Sequence, residues 1–216
     1  MKNNFTFICE SEKDHFSNYI LLELEKKFDV DKIISNSKLK YLISLFSAEI
    51  YWIEWASNPA IFISKYKTKK QKLFIRLHRY EMYKNKWMQK IRWDNVDKVI
   101  FVNSELEHEF KTLVPNCNTI TIPNAVNIET FPLSQRTNEN TLLSYGYQFN
   151  PIKGYLDLIE LFNNLNNIDS SFNLTIAGKN PDNDIYKIHL NECYQLIKKY
   201  DLEININIKL LNISAK

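Results

Sequence analysis

The sequence predicts an α/β fold of the Rossmann type, organised as a larger first domain and a smaller second one. Three observations predict it. Short β-branched runs alternate with segments whose apolar residues recur near every 3.6 positions, the pattern of a parallel sheet with helical crossovers. A polar stretch, 127–140, carrying Pro132, Ser134, Thr137 and several Asn residues, interrupts the alternation once and reads as a linker. Beyond it the alternation restarts.

In the first part the strand-like runs are 5–9, 32–35, 49–53, 73–77, 98–102 and 119–122, and the helical patterns are 18–28, 38–46, 59–66, 85–93 and 104–113. Ser104 followed by Glu107 fits a capping box at the start of the last helix. In the second part come a strand at 142–145, a helix at 155–165, a strand at 173–176, a helix at 185–200 and a strand near 204–209. The expected division is 1–135 for the first domain with its linker and 136–216 for the second.

Composition narrows the function classes. The 216 residues are 44% hydrophobic and 25% charged, ordinary for a globular protein. A net charge of +3 is too small to make nucleic acid the main partner. Cys9, Cys117 and Cys193 are odd in number and widely spaced, so they form neither a disulfide framework nor a metal-binding spacing; a reducing cytoplasm is expected. The apolar run at 5–9 is short and meets Glu10 at once, so no signal peptide and no bilayer-spanning run is expected. Few Gly and many Asn, Lys and Ile are the composition of an AT-rich, bacterial genome. A dehydrogenase is disfavoured because no G-x-G-x-x-G follows the first strand.

Two stretches carry the functional signal. Ile120-Thr121-Ile122-Pro123-Asn124-Ala125-Val126-Asn127, with Phe131, ends a strand in a Pro-Asn turn. Tyr145-Gly146-Tyr147-Gln148-Phe149-Asn150-Pro151-Ile152-Lys153-Gly154 runs from a strand into a loop that opens a helix. A lysine beside free N–H groups at a helix N-terminus makes an anion site. Their order and spacing resemble the domain crossover of GT-B glycosyltransferases of the family-4 type, with an I-P-N-G-V-D-like turn and an F-N-P-x-K-G-like loop. Segment 98–113 is similar to that family's V-I-x-V-S strand and its following helix.

The resemblance implies a GT-B-like fold and transfer of a sugar from a nucleotide sugar, UDP- or GDP-linked, to a glycan or lipid-linked acceptor. In the family this is a retaining, metal-independent transfer, and no further cofactor is implied. It also implies that the chain covers the acceptor-side domain and about half of the donor-side one, since nothing after Lys209 matches the E-x7-E-like element. The competing reading is a non-catalytic remnant or assembly subunit that self-associates or binds a partner chain.

Candidate residues follow from the same matches. Arg76-Leu77-His78-Arg79-Tyr80-Glu81 sits at the carboxyl end of a strand, where open α/β sheets bind ligands. It resembles the family segment whose His faces the donor sugar, which makes His78 and Glu81 the catalytic candidates. The plainer reading makes Arg76 and Glu81 a surface pair and His78 a strand end. Lys153, Gly154 and Asn150 are the candidates for holding the donor diphosphate, whose developing charge needs a cation. The alternative is that Lys153 is an exposed helix-start lysine. Gln148 stands where the family carries an Arg, and a neutral amide cannot replace a guanidinium on a diphosphate. Glu10 and His15 follow the first strand, where a solvated loop competes with an acceptor pocket. Asn124 reads as a turn former. The lysine-rich stretch 65–72 and the basic, Trp-bearing segment 84–93 have two readings: peripheral contact with a membrane, or a solvated loop and a partly packed helix.

Overall fold

The structure, a computed structural model, describes residues 2–10, 17–83, 85–124 and 140–211. The chain separates into two compact units, Met1–Thr130 and Phe131–Lys216. The expected boundary at 135/136 falls outside the described residues, as does His15.

The first unit is a six-stranded parallel sheet: β1 (Asn4–Cys9), β2 (Asp29–Ile34), β3 (Ile50–Glu54), β4 (Lys72–Leu77), β5 (Lys98–Phe101) and β6 (Thr119–Thr121). Their spatial order is β2-β1-β3-β4-β5-β6. The period of two along each strand sorts side chains to two covered faces. Phe5, Phe7 and Cys9 of β1 pack with Leu21 of α1 (Asn18–Glu25) on one face, joined by Trp52 of β3. Ile8, Tyr51, Ile53, Leu73, Ile75, Leu77, Val99 and Phe101 make the larger core on the other face. That core is closed by Tyr41 of α2 (Lys38–Ser44), Ala60 and Ile63 of α3 (Asn58–Tyr66), and Leu106 and Phe110 of α6 (Ser104–Leu113). Truncating a fully buried Ile such as Ile53 in such a core costs ~2–5 kcal/mol.

Helix starts show the local chemistry. Pro59 occupies the first turn of α3, where its missing N–H is no loss. The cap of α6 is Asn103, whose side chain accepts from the N–H of Leu106 at 2.8 Å. This corrects the Ser104–Glu107 box. Glu107 instead turns toward β6, where the hydroxyls of Thr119 and Thr121 donate to its carboxylate. The helix expected over 85–93 is short: α4 (Arg79–Tyr83) and α5 (Asn85–Met88) are followed by a single 3-10 turn at Trp93–Asn95. Met88 and Ile91 are buried, so its apolar positions face the core and not outward.

The second unit is a three-stranded parallel sheet, β7 (Thr141–Gln148), β8 (Asn173–Lys179) and β9 (Ile206–Leu211), in sequential order. Helices α7 (Tyr155–Ile168) and α8 (Asp184–Lys199) supply Ile159, Phe162, Leu190, Cys193 and Ile197 to a core with Leu174, Ile176 and Ile206. Among the described residues no helix is long and apolar enough to cross a membrane.

Candidate functional site

Three adjacent strands of the first unit end together. Register places Cys9 of β1 beside Glu54 of β3, and Glu54 beside Arg76 of β4. The carboxyl ends of such strands are where a parallel sheet presents its ligands. Here they assemble around one carboxylate.

Glu54 has no exposed surface. Its Oε2 accepts from Ser17 Oγ at 2.9 Å and from Trp52 Nε1 at 3.0 Å. Its Oε1 meets Arg76 Nη1 at 3.4 Å and His78 Nε2 at 2.8 Å. Burial pushes the Glu54 carboxyl up, yet the bond from His78, the Arg76 guanidinium and the Trp52 indole together outweigh it and hold the carboxyl below its usual value. With four donors on two oxygens, this carboxylate is an orienting group. Arg76 is itself buried, and its second terminal nitrogen donates to the Asn124 side chain. The surface-pair reading of Arg76 with Glu81 is thereby excluded, and the side chain of Asn124 holds the guanidinium.

His78 is partly exposed, with 13% of its side chain accessible. A carboxylate can only accept, so a neutral imidazole here carries its proton on Nε2. The ring lies on Trp55 with centroids 3.9 Å apart and planes 22° from parallel. Trp55 has φ 71°, a left-handed conformation that a bulky residue adopts only when its surroundings impose it. Its backbone N–H donates to the Arg76 carbonyl at 3.1 Å, which ties the turn after β3 to β4.

Glu81, 2% exposed, reaches back three residues and accepts the backbone N–H of His78 at 2.8 Å. This contact fixes the first turn of α4 and the position from which the imidazole projects. Burial raises the Glu81 carboxyl above its ordinary value, more than the His78 N–H lowers it. Glu10 accepts from the Asn58 side-chain amide at 2.8 Å.

The sequence reading named His78 and Glu81, which the structure places around one carboxylate, and did not name Glu54, Trp55, Trp52 or Ser17. A signal was present: Glu54 ends an otherwise apolar strand, and an ionisable residue there must find partners.

In the second unit, the 150–154 loop has the geometry its residues dictate. The Asn150 side chain accepts from the N–H of Ile152 at 3.1 Å, closing a 3-10 turn over Pro151–Lys153. Gly154 then adopts φ 69°, ψ 30°, and α7 begins at the next residue. A left-handed residue at that junction favours glycine. No side chain caps α7, and its first turn holds Asp157. Lys153 is exposed beside this helix start. Gln148, at the end of β7, is in register with Lys179 of β8, whose ammonium pairs with Asp182 at 2.9 Å. Gly146 is set by packing: a Cβ there would fall 2.0 Å from the hydroxyl of Tyr155. Among the described residues no group of three His, Cys, Asp or Glu side chains is placed to hold a metal ion.

No protein-family model matches the chain, and no curated protein matches it. Solved structures do. The sucrose-phosphate synthase of Thermosynechococcus elongatus is similar over 97% of this chain and 71% of its own, with a TM-score of 0.65 and 12% identity. HepE of Anabaena, solved with UDP and glucose, is similar over 98% of this chain and 70% of its own, at a TM-score of 0.62 and 13% identity. An UDP-N-acetylglucosamine 2-epimerase assignment of Listeria monocytogenes is similar over 98% and 70%, at 0.54 and 8%. The chain has a GT-B-like fold. The six-stranded and three-stranded parallel sheets are its two Rossmann-like parts. At these identities the likeness establishes architecture, and a fold does not by itself fix a function.

Proposed function

We propose that the chain serves glycosyl transfer from a nucleotide sugar, UDP- or GDP-linked, to a glycan or lipid-linked acceptor. The observation that carries this reading is the Glu54–His78–Trp55 arrangement at the carboxyl ends of the first sheet. It presents one imidazole, fixed in tautomer and plane, among aromatic and polar groups suited to a sugar. His78 is the residue assigned to the donor sugar, whose hydroxyls an imidazole suits. Glu54 and Glu81 act through it as positioning residues.

Lys153, with Asn150 shaping the loop and Gly154 opening α7, is assigned to the donor diphosphate. A point charge beside uncapped helix N–H groups suits an anion that gains charge as the sugar departs. The retaining, metal-independent chemistry and the hexosyl donor come with the family resemblance. The reading draws support from the fold shared with a sucrose-phosphate synthase and with a protein solved with UDP and glucose.

Gln148 favours a second reading, a non-catalytic member of the same fold. It places an amide where the resemblance calls for a guanidinium.

Calorimetry with UDP and GDP on wild type, Lys153→Ala and Gln148→Arg separates the two. Transfer predicts weak wild-type binding, weaker binding for Lys153→Ala, and stronger binding for Gln148→Arg through a restored bidentate contact. Indistinguishable null results for all three leave the non-catalytic reading.

A further inference from the structure

Between α2 and α3 the first unit carries a cleft of about 780 Å3, a size at which proteins hold organic ligands. Aromatic rings line it. Tyr41 and Phe62 lie 5.8 Å apart between ring centroids, and Phe62 and Tyr66 lie 4.8 Å apart. Tyr41 is buried and its hydroxyl is spent on the Ser35 carbonyl, so it serves as floor. Phe62 is half-buried and Tyr66 is 51% exposed, so the row opens outward toward the end of α3. That helix has nine residues, from Asn58 to Tyr66, and is about 12 Å long from first to last. The cleft beside it has room for more than one sugar ring.

The rest of the lining is cationic or amide. Lys38, Lys65 and Lys90 border the cleft, are exposed, and have no carboxylate partner among the described residues. Asn36 is exposed at the same rim. Asn58 gives a side-chain N–H to Glu10 at 2.8 Å and keeps its carbonyl oxygen to accept from a ligand. The Glu10 carboxylate puts a negative charge at the Asn58 end, so an anionic group is drawn to the lysines and not there.

We infer that this cleft holds an acidic oligosaccharide, one whose rings carry carboxylates. Three kinds of group select it together. Aromatic rings take the apolar C–H faces of pyranoses, and amides pair with hydroxyls, which suits any glycan. The lysines are compact point charges set apart from one another, and they match single charges spaced along a chain, as uronic carboxylates are. The Lys65 ammonium lies 5.2 Å from the Tyr66 ring centroid, so stacking and charge are offered at one place. A nucleic acid would call for Arg forks, and no Arg lines the cleft among the described residues.

Asn58 opens α3 just after the Trp55 turn, at the carboxyl edge of the sheet that also bears His78. The inference narrows the acceptor of the proposed transfer to an acidic glycan, and for that role it rests on that proposal. The binding itself needs neither nucleotide nor Lys153.

The test is calorimetry at low salt on the full chain with a hyaluronan tetrasaccharide, which carries glucuronate carboxylates, and with neutral N-acetylchitotetraose. The acidic tetrasaccharide is expected to bind at least ~tenfold more tightly and to be released as salt screens the charges. Lys65→Gln with Lys90→Gln, and separately Tyr66→Ala, are each expected to weaken it ~five- to tenfold. These side chains are exposed, so circular dichroism and UDP binding should match wild type. No binding of the acidic tetrasaccharide by wild type overturns the inference, and so does equal affinity for the neutral one. Affinity that ignores Tyr66→Ala and follows net charge alone would show a diffuse cationic patch, which also overturns it. Binding of UDP without the tetrasaccharide sinks the cleft and leaves the transferase reading standing. The reverse pattern keeps the cleft as a glycan site and sinks only that reading.

Discussion

Nε2 of His78 lies 2.8 Å from Oε1 of Glu54, a carboxylate without exposed surface. The same oxygen faces the Arg76 guanidinium, so one buried negative charge holds both a titratable ring and a permanent cation. The pairing makes the end of β3 an electrostatic anchor, and its removal should be felt in stability as well as in ligand binding.

Glu54→Gln leaves Arg76 buried without its counter-charge and removes an acceptor oxygen from a site where Arg76 and Trp52 can only donate. Breaking a buried pair in this way costs about 3–5 kcal/mol. The urea midpoint at neutral pH should fall accordingly. The pH dependence has a definite sign. The folded Glu54 carboxyl lies below its ordinary value of 4.5, so its stabilisation is complete above that value and is lost as pH falls through the lower, folded one. The gap between wild type and Glu54→Gln should close in acid. A gap that widens as pH falls would contradict the assignment.

Glu81 should behave in the opposite sense. Burial raises its carboxyl above 4.5 in the folded chain, so the stabilisation tied to its proton is present below 4.5 and disappears as pH rises through the folded value. At neutral pH an ionised carboxylate is buried at a cost. Glu81→Gln keeps an oxygen for the His78 N–H and removes that charge. It should raise the urea midpoint at neutral pH and lose the advantage in acid. Equal midpoints at every pH would show that the carboxylate is not under that strain.

These opposed carboxylates mark the limit of what the sequence made legible. Alternation of runs located the nine described strands to within a few residues, because central strands such as β1, β4 and β5 are nearly continuous apolar blocks. His78 and Glu81 were visible because they follow such a block at its carboxyl end. Glu54 was not, since the strand was expected to stop at Ile53 and a terminal Glu looks like a solvated residue. Only register, which sets β1, β3 and β4 side by side, shows that Ser17, Trp52, Arg76 and His78 converge on it. Ser104 misled for a related reason: Asn103 caps equally well, and Glu107 found Thr119 and Thr121 across the layer instead of its own helix start.

Trp55 offers a test of imposed backbone geometry. Its left-handed φ of 71° costs about 1–2 kcal/mol for a residue with a Cβ and almost nothing for glycine. Trp55→Ala and Trp55→Gly both lose the stack on His78. The glycine variant should nonetheless be the more stable, by about 1 kcal/mol in urea unfolding. If alanine is the better tolerated, the turn after β3 is not held in that conformation in solution.

The last prediction concerns the second unit, where Gly146 and Tyr155 are matched in size. The Tyr155 hydroxyl is buried without a hydrogen-bond partner among the described residues, and it occupies the place of a side chain on Gly146. A Cβ there would meet the hydroxyl oxygen at 2.0 Å, and the ring carbon behind it at 3.2 Å. Gly146→Ala should therefore destabilise the chain strongly, by the 1–3 kcal/mol typical of overpacking (roughly) or somewhat more. Tyr155→Phe removes an unsatisfied buried hydroxyl and should be neutral or stabilising, by up to about 1 kcal/mol. Combining the two clears the closest clash and leaves only the tighter ring contact. The double variant should recover much of the loss, giving a coupling energy well outside the ~0.5 kcal/mol expected of independent sites. Additive effects in a urea double-mutant cycle would mean that the tyrosine hydroxyl does not rest on Gly146.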